Sequence, residues 1–197
     1  MAKKEHYHEK LECGSFYHIY NRTIDKQLMF KSNENYTYFL KQYNKYLTPF
    51  VETYAYCLLG NHFHLLIRIK DELTLNILGK SAHDIVAHQF QKFFQSYAMA
   101  FNKQNTRVGS LFQKPFKRTI IDSEDYFTQM VFYIHANPEK HGLLEDFRDW
   151  RWSSYERILI DKPSNLKKDE VINWFGDRAD YFNFHSENRA LIVRKSY

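Results

Sequence analysis

The stretch Gly60–Ile69, GNHFHLLIRI, carries two histidines with one phenylalanine between them. Successive side chains of a strand point to opposite faces, so His62 and His64 project together while Phe63 faces away. Neutral imidazole is a common ligand of divalent metals, and two on one face make half a site. The pair also reads as two ordinary half-buried strand residues, and a two-residue motif taken alone favours that plainer reading. A second cluster shifts the balance. In VFYIHANPEKHG, Tyr133 and Asn137 stand four residues apart in a helical segment and share a face. Asn137 offers an amide oxygen suited to Mg²⁺ or Mn²⁺. Two imidazoles and one amide oxygen leave positions open for phosphate oxygens and water, unlike a closed structural zinc site. Tyr133 offers a phenol, which is a nucleophile once its proton is removed. A metal-polarised phosphodiester beside a tyrosine is an arrangement for transesterification. His135 falls on another side of this helix, and Tyr126, two turns earlier on the same stripe, competes with Tyr133 for the nucleophile's role.

These residues need a scaffold that brings a strand against a helix. SFYHIYNR, Ser15–Arg22, alternates and is rich in aromatics, so it is predicted as a strand. Phe39, Leu40, Tyr43 and Leu47 recur at helical spacing, with Ser32 or Asn33 as cap. VETYAYCLLG and HFHLLIRIK are two strands split at Gly60–Asn61, the mark of a tight hairpin. Residues 71–81 are expected to form a loop or short helix. HDIVAHQFQKFFQSYAMAFNKQ is a long amphipathic helix, and a strand is expected near Phe116–Ile121. SEDYFTQMVFYIHANP is a helix with Ser123 as N-cap and Pro138 closing it. One more helix is expected at Lys168–Phe175. The order predicts an α+β, ferredoxin-like antiparallel sheet with helices packed on one face. Residues 1–160 form the domain and 161–197 a C-terminal extension.

The chain has 197 residues, enough for one domain with a substantial core. Its composition is globular, with 18% aromatics. No apolar run is long enough to span a bilayer, and the charged start MAKKEHYHEK lacks an apolar leader segment, so a cytoplasmic location is expected. Cys13 and Cys57 form no C-x-x-C pair and are expected to be reduced thiols. The net charge of +5 and pI of about 9.0 favour anionic partners, nucleic acid foremost. FQKPFKR sets Phe112 and Phe116 among Lys114, Lys117 and Arg118, a pattern that suits single-stranded DNA, although both phenylalanines read equally well as core. Arg22, Arg68 and Lys70 are candidates for a phosphate track, since Arg68 is in phase with His62 and His64. Trp150, Trp152 and Tyr155 in WRWSSY read as packing.

Taken in order, FYHIYNR, GNHFHLLI, GSLFQKPFK, YIHANPEKHGL and WRWSSY resemble the Y1 HUH single-strand transposases, and within them the REP-associated tyrosine transposases. The resemblance runs from about Ser15 to Tyr155. It implies a ferredoxin-like domain and a divalent-metal-dependent enzyme, with Mg²⁺ or Mn²⁺, that cleaves and rejoins single-stranded DNA bearing hairpin or palindromic flanks. It implies that His62 and His64 are the metal-binding pair, Asn137 the third ligand, and Tyr133 the nucleophile that leaves a 5′-phosphotyrosine and a free 3′-hydroxyl. The insertion-sequence branch often carries glutamine where Asn137 stands. That branch is known for dimers that exchange tyrosine helices, whereas the REP-associated branch can act as monomers; the long tail here leans to the latter, with monomer or homodimer left open. Two other readings remain beside this one: a non-catalytic relative that binds hairpin DNA or RNA, and a metal hydrolase of small phosphoesters.

Overall fold

In a computed structural model, described over residues 9–72 and 79–194, the chain folds around one antiparallel sheet. Most of the segment 71–81, expected as loop or short helix, lies outside the described residues. Strands β1 (Phe16–Arg22), β2 (Val51–Leu59), β3 (His62–Ile69) and β4 (Lys117–Ile121) lie in the order β2-β3-β1-β4. Helices α1 (Asn33–Tyr46) and α2 (Ala82–Gln104) connect β1 to β2 and β3 to β4. This is the ferredoxin-like β-α-β-β-α-β path expected from the sequence. After it come α3 (Glu124–Lys140), a 3₁₀ turn (Phe147–Asp149), α4 (Tyr155–Leu159), α5 (Lys168–Phe175) and α6 (Arg178–Arg194).

Alternation along β3 divides the core. Phe63, Leu65 and Ile67 pack with α1 and α2, through Phe39, Tyr43, Phe90 and Phe93. Leu66 faces the other way, toward Phe127, Val131 and Ile134 of α3. Helices therefore cover both faces of the sheet. The single helical face expected from the sequence holds for α1 and α2 alone, because α3 to α6 add a second layer over the side that a ferredoxin-like core leaves bare. Val171 of α5 and Tyr181 of α6 are fully buried in that second cluster, so packing runs across the expected boundary at 160/161.

Three local features aim the site. Gly60–Asn61 makes the tight link between β2 and β3, and the Gly60 carbonyl accepts from the backbone of Met29 and Phe30. This leaves His62 and His64 at the start of β3, where β1 pairs with it: Arg22 stands opposite His62 and Tyr20 opposite His64. Ser123 caps α3 by accepting from the Tyr126 backbone N–H, with Glu124 and Asp125 in the first turn. Pro138 was expected to end α3, yet the helix continues to Lys140. A proline in the last turn removes one backbone donor, and the helix resumes capping at once, with the His141 N–H on the Asn137 carbonyl. Cys13 and Cys57 are both free thiols.

Candidate functional site

His62 and His64 share a face of β3, with ring centroids 5.3 Å apart. Each has its Nδ1 engaged. The Nδ1 of His62 lies 2.7 Å from Asn61 Oδ1, an acceptor only, so the imidazole donates there and its Nε2 keeps the lone pair. Asn61 is fixed in turn by donating to the Lys26 carbonyl. The Nδ1 of His64 lies 2.9 Å from Nε2 of His18, which comes from the neighbouring strand β1. Among the described residues neither Nε2 of the pair has a hydrogen-bond partner.

Helix α3 lays Tyr133 over this pair. Its ring meets His64 edge-on at 5.7 Å and His18 at 5.8 Å. It is 38% exposed, which leaves the phenol reachable from solvent. One turn on, Asn137 is 1% exposed and its Nδ2 donates to the Tyr133 carbonyl at 2.7 Å, so the amide is clamped while its Oδ1 carries no hydrogen bond among the described residues. Tyr126 instead packs at the margin of the second core cluster. The structure thus brings His62, His64 and Tyr133 together, sets Asn137 one turn along from Tyr133 on the same helix, and leaves Tyr126 out. His135 is fully buried on the far side of α3, as its helical phase requires.

Electrostatics keep the imidazoles neutral and the site short of negative charge. Burial lowers the pKa of His18 to about 3. Burial, then the nearby His141 and Arg22, lower His62 to about 4. His64 is pushed well below its ordinary value by burial first and by its imidazole and lysine neighbours second. Neutral imidazole is the form that ligates a metal. Arg22 sits opposite His62, and its buried Nε has no hydrogen-bond partner among the described residues. Lys117 lies over the ring of Tyr20, which stacks on His18 and His64. Both cations therefore border the histidines.

The other expected DNA contacts are placed elsewhere. Arg68 is at the opposite end of β3 and pairs with Glu52 and Asp71 while donating to the Gly14 carbonyl. Lys70 follows it at that same end. Arg118 alternates to the α2 side, is 7% exposed, donates to the Glu9 carbonyl and lies over Phe116. Lys114 is exposed on the rim of a groove of about 640 Å³ that includes Phe94, Phe112 and Phe116. Phe112 is core and Phe116 partly buried. In WRWSSY, Trp150 donates to the Leu58 carbonyl, Trp152 stacks on Tyr36 and Tyr155 is buried, all packing roles.

Four site residues went unread in the sequence: His18, Asn61, Lys140 and His141. The His141 ring packs 4.9 Å from that of His62, and Lys140 Nζ lies 4.6 Å from the Tyr133 ring centroid. His18 alternates in phase with Tyr20, but only the pairing of β1 with β3 reveals what it faces. The last two follow Pro138, past the expected end of the helix. Among the described residues no three His, Cys, Asp or Glu side chains are grouped to hold a metal ion. A metal here would have to use an amide and the substrate's own oxygens beside the two imidazoles.

No family model matches the chain. In sequence it is similar to a protein of Haemophilus influenzae named "Putative REP-associated tyrosine transposase", at 32% identity over 111 residues. That match covers 55% of this chain and 61% of the relative, so the chain spans less than two thirds of that protein's length. In fold it is similar to a REP-associated tyrosine transposase solved bound to a REP hairpin, with a TM-score of 0.59 at 17% identity, over 81% of this chain and 86% of that one. The sequence match is a likeness to a tyrosine transposase over part of both chains, and the likeness to the solved structure is one of fold.

Proposed function

We propose that the chain is a metal-dependent transposase that cleaves and rejoins single-stranded DNA through a 5′-phosphotyrosine intermediate. The observation that carries this is the setting of Tyr133: an accessible phenol edge-on to His64, beside His62, with a clamped amide one turn away. The donor set fits a divalent metal. His62 presents a lone pair at Nε2, and His64 does so when its Nδ1–H donates to His18, the orienting bond that metal-ligating histidines commonly make. Asn137 Oδ1 would be the third protein ligand. A bound Mg²⁺ or Mn²⁺ would polarise the phosphodiester and stabilise the charge that develops on it.

The chain's own residues do the rest. Tyr133 supplies the attacking oxygen. Arg22 and Lys117 line the approach with positive charge, and the buried Nε of Arg22 supplies a donor suited to a phosphate oxygen. All protein ligands in this set are neutral, so the substrate's phosphate would be the first anion to enter. The fold neighbour's REP hairpin suggests a substrate with a hairpin beside the single-stranded segment. The test is incubation with hairpin-flanked single-stranded oligonucleotides and Mg²⁺ or Mn²⁺, followed by a search for a covalent adduct. The adduct is expected with the native chain and with Tyr126→Phe, and lost with Tyr133→Phe. An undiminished adduct in Tyr133→Phe, or none with the native chain, refutes the proposal; salt-sensitive binding with no adduct would point to the non-catalytic reading.

A further inference from the structure

A cation that pairs with no carboxylate among the described residues faces the tyrosine. Lys140 lies seven residues beyond Tyr133, and two helical turns return it to nearly the same face. Its Nζ stands 4.6 Å from the centroid of the Tyr133 ring and 5.6 Å from that of Phe132. The acid next to it in sequence is committed elsewhere. Glu139 accepts from Nε of Arg189 at 2.9 Å and 3.2 Å and from the Phe147 backbone N–H. Among the described residues no carboxylate pairs with Lys140. Partial burial of the ammonium pushes its pKa below that of an ordinary lysine, and its charge reaches His64. The cation therefore lies against the phenol ring, close enough to act on His64, with no carboxylate paired to it among the described residues.

We infer that Lys140 is a catalytic residue: its ammonium holds a non-bridging oxygen of the scissile phosphate and offsets the charge on the Tyr133 oxygen as it attacks. This rests on the tyrosine chemistry proposed above. In that step the phenol's proton passes to water and the bond from Tyr133 Oη to phosphorus forms. The bond from phosphorus to the 3′ oxygen breaks, and that oxygen keeps the electron pair and takes a proton from water. Lys140 remains an ammonium throughout and exchanges no proton. A preorganised cation at the point where charge develops acts on the transition state more than on the bound ground state. A contact that only packed an ammonium on a ring would alter stability and leave the chemistry unchanged.

The experiment is single-turnover formation of the covalent adduct on a hairpin-flanked oligonucleotide with Mn²⁺, for the native chain and for Lys140→Met, Lys140→Gln and Lys140→Arg. Oligonucleotide affinity is measured in parallel by fluorescence anisotropy. Loss of one such electrostatic contact is expected to slow the adduct step about 100-fold in the methionine and glutamine variants. Affinity should fall far less than the rate, and arginine should restore most of the rate. If the native chain reacts and both neutral variants keep pace within about threefold, the role of Lys140 is overturned and the tyrosine chemistry stands. If the native chain forms no adduct, both fall together. A rate loss that tracks a loss of affinity in both neutral variants would make Lys140 a binding contact only, and that also overturns the inference.

Discussion

Mild acid should destabilise this protein, because imidazoles are buried neutral in it. His18 and His185 are the clearest cases: burial lowers them to about 3 and about 4, from 6.5. Their folded-state pKa is depressed, so between pH 6.5 and pH 4 the unfolded chain binds protons that the folded chain does not. Stability therefore falls as pH drops through that window and is fully present above it. At pH 5 an unfolded imidazole is almost wholly protonated and these two are almost wholly neutral. The linkage cost is then about 2 kcal/mol for each, or about 4 kcal/mol together. His135, also depressed by burial and hydrogen-bonded to His185, moves in the same direction. Against a total stability of about 5–15 kcal/mol, that loss is decisive. The assay is urea unfolding followed by circular dichroism at pH 7.5, 6.5, 5.5 and 5.0 in a chelator. The unfolding free energy should drop by at least about 3 kcal/mol from pH 7.5 to 5.0, with most of the change below 6.5. A change under about 1 kcal/mol would show that these imidazoles are not buried neutral, and the reasoning would fail.

Two further perturbations test the scaffold. Phe63, fully buried with its ring 5.1 Å from that of Phe39, should cost about 3–5 kcal/mol when changed to alanine; unchanged urea unfolding would contradict its place as the anchor of β3. Arg189→Ala leaves Glu139, whose side chain is 9% exposed, with only the Phe147 N–H, so a loss of about 1.5–3 kcal/mol and a melting temperature lower by about 4–8 °C are expected. A melt within about 1 °C of the native chain would show that this pair contributes nothing.

What could be read without coordinates was mostly periodicity. Alternation put His62 and His64 on one face and Phe63 on the other, and helical phase put Tyr133 and Asn137 together and His135 apart. Those are local properties of one strand or one helix. Phase gives a face and not a distance, and the reading of Arg68 shows the difference. It does lie in phase with His62, but six residues at about 3.3 Å each set it about 20 Å away, where Glu52 and Asp71 occupy it. His18 shows the complementary limit, since its place beside His64 exists only once β1 pairs with β3. Lys140 and His141 were hidden by too strong a reading of Pro138, which a helix tolerates in its final turn. The helix Arg178–Arg194 could not be delimited within the extension because its aromatic and charged residues follow no clear apolar stripe, and only packing against α3, α4 and α5 gives it a buried side.

The buried polar chain behind the tyrosine helix also bears on how such a protein can be dissected. The Tyr56 N–H donates to Ser154 Oγ, which reaches Nε2 of His135; His135 Nδ1 meets Nε2 of His185, whose Nδ1 donates to the Tyr181 carbonyl. The links come from β2, the start of α4, α3 and α6, and the last two residues, His185 and Tyr181, both lie on α6, beyond residue 160. A deletion that stops there would strip the rear wall from the helix that carries Tyr133, exposing Phe132, His135 and Phe147 to water. Truncation mapping would then record a lost fold as a lost reaction. The same chain of bonds opposes lending that helix to a second copy, because the loan would have to break both buried hydrogen bonds of His135, to Ser154 and to His185.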